Sequence, residues 1–113
     1  MFVRFAMEAK EELGPCIFGI SIYRSDGDWL IGQTSREDQI EWPSARPGEI
    51  RRGELRFDHL ALAPGDYAIA LAAYSSDFTT CYAMTDASLR FSVRASYPMW
   101  GKFIHPLKWV IVS

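Results

Sequence analysis

At 113 residues the chain is long enough for one domain with a single core, and its 49% hydrophobic and 23% charged content is that of a folded protein, not a disordered one. The formal net charge of -2 gives no reason to expect a nucleic-acid binder, which needs a clustered basic face, and the densest basic group, Arg46 with Arg51-Arg52, reads as a solvated loop and strand edge. No apolar run approaches the ~20 residues needed to cross a bilayer.

The opening MFVRFAMEAKEEL carries charge too early for a signal peptide, so a cytoplasmic location is expected. Within it Val3, Phe5 and Met7 alternate with Arg4, Ala6 and Glu8, a period near two that predicts a strand. AKEELGP then turns the chain, with Gly14-Pro15 as the breaker. Cys16, Phe18, Ile20 and Ile22 form an apolar row, while Ile17, Gly19, Ser21 and Tyr23 face the other way. Asp26-Gly27 in SDGDW predicts a hairpin whose return strand spans residues 29–32. Residues 33–48 lack periodicity, contain Pro43, Pro47 and Gly48, and read as a long loop.

Residues 50–62 read as extended, with Leu55, Phe57, Leu60 and Leu62 inward and a bulge or bend near Asp58-His59 where the parity shifts. APGDY is a turn, and residues 67–74 form the next strand. A loop around Asp77 precedes a strand at 87–93, with Leu89, Phe91 and Val93 inward, and a last strand at 108–112. About seven short strands with no convincing helix predict an all-β antiparallel sandwich, a small barrel being the alternative. The expected core is Phe5, Phe18, Ile20, Ile22, Leu55, Phe57, Leu62, Ile69, Leu71, Leu89, Phe91 and Val93.

Catalytic and metal signatures are lacking. MWGKF is not a phosphate loop, and His59 and His105 have no second ligand at zinc spacing. Asp26 and Asp28 are explained by hairpin geometry without calcium. The spacing of Cys16 and Trp29 suits an immunoglobulin framework, and APGDYAI resembles a tyrosine corner, but Ile69 stands where the second cysteine would be. Cys16 and Cys81 therefore read as free thiols in a reducing compartment. No metal and no cofactor is implied.

One feature points to binding. In residues 67–74, Tyr67, Ile69 and Leu71 are large, and Ala68, Ala70 and Ala72 on the opposite face are all alanine. Gly19, Ser21 and Tyr23 repeat the pattern, and each small row ends in a tyrosine, Tyr23 or Tyr74. Either a protein layer packs closely on this face or it floors a shallow groove. Such a groove suits a sugar: aromatic faces take the C–H surface of a pyranose, and Arg and Tyr hydrogen-bond hydroxyls or an anionic substituent. The candidate carbohydrate-binding residues are Tyr23, Tyr74, Arg4, Arg90 and Trp29, with Trp29 at the rim or in the core.

PCIFGISIYRSDGDWLIGQTS, LRFDHLALAPGDYAIALAAY, LRFSV and GKFIHPLKW, in this order, resemble the C-terminal domain of the Wzt family over nearly the whole chain. The family comprises nucleotide-binding subunits of ABC transporters that export O-antigen and related polysaccharides. The resemblance implies an immunoglobulin-like sandwich that binds the exported glycan in the cytoplasm, at the inner-membrane transporter, often through its non-reducing terminus. It also implies partnership with the transporter's ATPase and membrane subunits, and a homodimer formed by exchange of the C-terminal strand. Two departures are expected to alter shape: no strand precedes Phe2, and Ala83 follows Tyr82 where the family pattern has an acidic residue. The ATPase domain of the family is absent from these 113 residues, which read as a single non-catalytic binding domain. The alternatives are a structural or dimerisation domain and, third, a glycan-modifying enzyme.

Overall fold

A computed structural model describes residues 1–57, 60–94 and 107–112. Seven strands are found among them: β1 (Phe2–Glu8), β2 (Cys16–Arg24), β3 (Trp29–Thr34), β4 (Ile50–Arg56), β5 (Gly65–Ser75), β6 (Cys81–Met84) and β7 (Leu89–Val93). All pairings are antiparallel. β1 and β4 form a two-stranded sheet. The second sheet runs β3-β2-β5, and the far edge of β5 is shared: β7 pairs with its first half and β6 with its second.

The alternation read from the sequence decides which side chains meet. Val3 from β1 joins Ile20, Ile22, Tyr67 and Ile69 from the larger sheet, together with Leu62, in one buried cluster. Leu55, Phe57, Leu71, Phe91 and Val93 pack on its flank. A second cluster of Cys16, Phe18 and Ala73 takes Phe5, Met7 and Trp42 against it. Both clusters draw from both sheets, so the molecule is the expected β-sandwich. Phe5, Phe18 and Trp42 approach with ring centroids 4.5–5.8 Å apart. Gly53 makes this possible: a Cβ there would lie 2.2 Å from Phe5 Cζ and 2.7 Å from Trp42 Cζ2.

The tyrosine corner is present. Tyr67 is buried, stacks on Phe91 at 5.3 Å, and its hydroxyl donates to the Ala63 carbonyl across the turn. Cys16 is a buried free thiol and Cys81 an exposed one. Burial pushes the Cys16 thiol up from its ordinary pKa, which keeps it protonated and inert. Arg51, part of the densest basic group, is a loop fastener: its guanidinium donates to the Pro43 and Ser44 carbonyls.

Several expectations are corrected. Residues 107–112 form no strand; Trp109 is 93% exposed and Ile111 98%, because a strand needs a neighbour to take its backbone hydrogen bonds and none of the described strands pairs with them. β3 runs on to Thr34 and leads into a 3-10 turn at Ser35–Asp38. The rest of that loop is pinned to the first residue of β2 and to the segment before it by bridges Cys16↔Trp42 and Leu13↔Ala45. The extended run from residue 50 ends as a strand at Arg56, and the bend expected near Asp58-His59 lies outside the described residues. Leu89 has the inward parity, opposite Ile69, yet is 55% exposed at the start of an edge strand. β6 falls where the sequence shows neither alternation nor a β-branched run.

Candidate functional site

The antiparallel pairing of β2 with β5 sets Gly19 opposite Ala72, Ser21 opposite Ala70 and Tyr23 opposite Ala68. The two small rows are therefore one continuous floor on the outer face of the larger sheet. β3 extends it, with Thr34 opposite Gly19 and Gly32 opposite Ser21, and Met84 of β6 lies opposite Ala72. Because these side chains are short, the surface is hollow: a groove of about 330 Å³ is lined by Gly19, Ser21, Gly32, Thr34, Ala70 and Ala72 and by Tyr23, Trp29, Tyr74, Phe78 and Met84, while Ala68 is buried outside it. None of the described residues lining it is charged.

Aromatic residues stand at both ends. Trp29, beside Tyr23, is 64% exposed, with its indole Nε1 donating to the Ile31 carbonyl at 2.8 Å. This removes it from the core. At the other end the Tyr74 ring reaches toward Gly19, where a Cβ would stand 3.4 Å from Tyr74 Cε2. Phe78 lies beside it, centroids 5.7 Å apart, and Arg36 caps the Phe78 ring at 5.2 Å. Phe78 has a φ of 63°, rare for an aromatic residue, and the turn around it supplies the constraint. Asp77 accepts from the Ser75 hydroxyl and from both the hydroxyl and backbone N–H of Thr79. These bonds hold the Asp77 carboxyl down to a pKa of about 2.

The structure thus brings Tyr23, Tyr74 and Trp29 to one groove. Arg90, opposite Ala68 on β7, shares the face and is exposed just beyond the lining. Arg4 is not brought there. It lies on β1 in the other sheet, with its side chain 83% exposed and Nε 3.0 Å from Glu54 Oε1. Alternation correctly turned Arg4 away from the core, but a sandwich has two outer faces, and parity alone does not say which. Arg56 shares the same Glu54, whose carboxyl the two guanidinium groups hold below its ordinary pKa. Between the sheets a second cleft of about 250 Å³ opens beside Phe18, Leu55 and Trp42, leading into the core. Among the described residues, no group of three His, Cys, Asp or Glu side chains is placed to hold a metal, and no helix is long and apolar enough to cross a membrane.

The fold and this groove can be set against known proteins. The model of the Wzt C-terminal domain family matches residues 1–104. The chain belongs to the Wzt C-terminal domain family. A crystal structure of the C-terminal domain of Wzt superposes with a TM-score of 0.81 at 22% identity, covering 99% of this chain and 68% of that one. At that identity the likeness speaks for the fold. No curated protein sequence matches. Within this Wzt-type sandwich, sequence reasoning missed Gly32, Thr34, Phe78 and Met84 as groove residues. Gly32 and Thr34 carried a signal, since they prolong the small-residue face onto the return strand. Phe78 and Met84 carried none, because they reach the groove through a turn and a strand without alternation.

Proposed function

We propose that the chain is a non-catalytic carbohydrate-binding domain that reads a bacterial polysaccharide of the O-antigen type in the groove on the outer face of the larger sheet. The observation that carries this reading is an uncharged, small-floored groove with aromatic side chains at both ends, on a member of the Wzt C-terminal domain family. Tyr23, Trp29 and Tyr74 offer ring faces to the C–H surface of a sugar, and the tyrosine hydroxyls, Ser21 and Thr34 offer hydrogen bonds to its hydroxyl groups. Arg90 stands at the margin for a substituent that projects beyond the lining.

In this reading the domain acts in the cytoplasm, beside the ATPase and membrane subunits of an ABC exporter, and engages the non-reducing end of the finished glycan. It works as a homodimer. Support comes from the apolar run Trp109, Val110, Ile111 and Val112, each at least 78% exposed in the single chain, which a second copy would cover by strand exchange.

The test is titration of the lipid-free polysaccharide of the producing bacterium into the protein and into Tyr74→Ala. The expected result is saturable binding that falls at least about tenfold in the variant with its melt unchanged. Failure of the unaltered protein to bind would leave the groove a packing surface.

A further inference from the structure

Trp29 and Gly32 are three residues apart on β3, yet they share a face. In a regular strand residues two apart do so. The register of β2 and β3 explains the exception: Ile22 pairs with Ile31 but Tyr23 with Trp29, so Leu30 is an extra residue at a bulge. Leu30 and Ile31 both pack toward the core, and Trp29 is turned out onto the groove face. There its indole crosses the Gly32 backbone. A Cβ on Gly32 would stand 2.3 Å from Trp29 Cζ2, 2.9 Å from Cε2 and 3.1 Å from Nε1. No real side chain fits in that space without moving the ring. The hydrogen bond from Nε1 to the Ile31 carbonyl fixes the ring's direction along the strand. One face of the indole is therefore occupied by backbone, and the residue is still 64% exposed.

An exposed tryptophan held this way has given up its rotamer freedom before any ligand arrives, which lowers the ordering cost of binding. The chemistry around it is uncharged: among the described residues, no Asp, Glu, Lys or Arg lines the groove. Arg36, on the Phe78 ring, and Arg90, opposite Ala68, lie outside the lining. An ionised sugar brought onto the floor would lose water without gaining a partner.

We propose that Gly32 is a positioning residue, which together with the bulge at Leu30 presets the Trp29 indole as a stacking platform for the C–H face of an uncharged sugar ring. This rests on the glycan reading above. The experiment uses the lipid-free polysaccharide of the producing bacterium as probe, titrated calorimetrically into the unaltered protein, Gly32→Ala, Trp29→Ala and Trp29→Phe. Gly32→Ala and Trp29→Ala should each weaken binding by about tenfold or more, and Trp29→Phe by less. Thermal midpoints should stay within about 3 °C, because Gly32 and Trp29 both lie outside the core. A glycan-induced change in indole fluorescence, absent from Trp29→Phe, should be lost in Gly32→Ala. Binding by the unaltered protein should change little between low and high salt.

Full affinity in Trp29→Ala, or in a folded Gly32→Ala, overturns the platform while leaving the glycan reading standing. If Gly32→Ala does not fold, Trp29→Ala and the fluorescence of the unaltered protein decide. A steep loss of affinity with salt overturns the assignment to an uncharged sugar. Absence of binding by the unaltered protein removes the glycan reading and the platform together.

Discussion

Single residues show how few contacts hold the two ends of the larger sheet in place. Tyr67 spends its hydroxyl on the buried Ala63 carbonyl, so the turn before β5 depends on one side chain that also stacks on Phe91. Tyr67→Phe keeps the ring and strands the carbonyl; it should cost about 1–3 kcal/mol in urea melts, and a loss below about 0.5 kcal/mol would show that the corner is not fastened this way. Asp77 does the same work at the far end of β5. Its folded pKa, about 2, lies below the unfolded carboxylate value near 3.9, so its contribution is fully present above that value and is lost as pH falls through about 2. Carboxyl NMR should find the Asp77 midpoint near 2, with Phe78 and Tyr74 ring signals moving in step; a midpoint near 4 would mean that the turn is open in solution. The tyrosine was legible from APGDY. The aspartate was legible only as a loop residue, because its partners Ser75 and Thr79 are common types whose hydroxyls have no pattern to read.

At the scale of elements, legibility followed periodicity. β1, β2 and β5 alternate in sequence and their inward rows were read correctly, but Ile17 and Ala68, of the opposite parity, are buried as well. Leu89 shows the limit of parity: alternation says which way a side chain points, not whether an opposing sheet covers it. Arg4 shows the same limit from the outside, since pointing away from the core did not place it on the groove. The bulge at Leu30 was invisible because one inserted residue leaves no compositional trace, and so Trp29 remained open between rim and core. The small-residue face was the most informative pattern, because two strands whose small rows pair residue for residue must form one floor. Ala70 lies in the middle of it, opposite Ser21, and is half-buried. Ala70→Leu should therefore fill the groove and abolish polysaccharide binding, with a thermal midpoint within about 3 °C of the unaltered protein. A drop of about 8 °C or more would mean that protein already packs on that floor.

For the whole molecule, the surface left uncovered in one chain predicts what a second chain does. A monomeric protein scatters exposed apolar residues singly, but here Leu107, Trp109, Val110, Ile111 and Val112 are 65–98% exposed in one short run. Valine, isoleucine and tryptophan favour strands, and the two-stranded sheet of β1 and β4 has unpaired edges among the described residues. A run with strand chemistry and no strand partner, in a chain with a sheet short of strands, is what strand exchange resolves: each copy gains backbone hydrogen bonds and buries its apolar run at once. Multi-angle light scattering at ~100 μM should give the mass of a dimer. Removing residues 107–113 should give a folded monomer, because among the described residues the buried clusters draw on none of 107–112. Replacing Val110 and Ile111 with lysine should shift the equilibrium toward monomer, since charge on an exposed strand blocks edge pairing. A monomer at that concentration in the unaltered protein would rule out the homodimer. A dimer that survives removal of residues 107–113 would place its interface elsewhere, and the outer face of the larger sheet would then be the first surface to test.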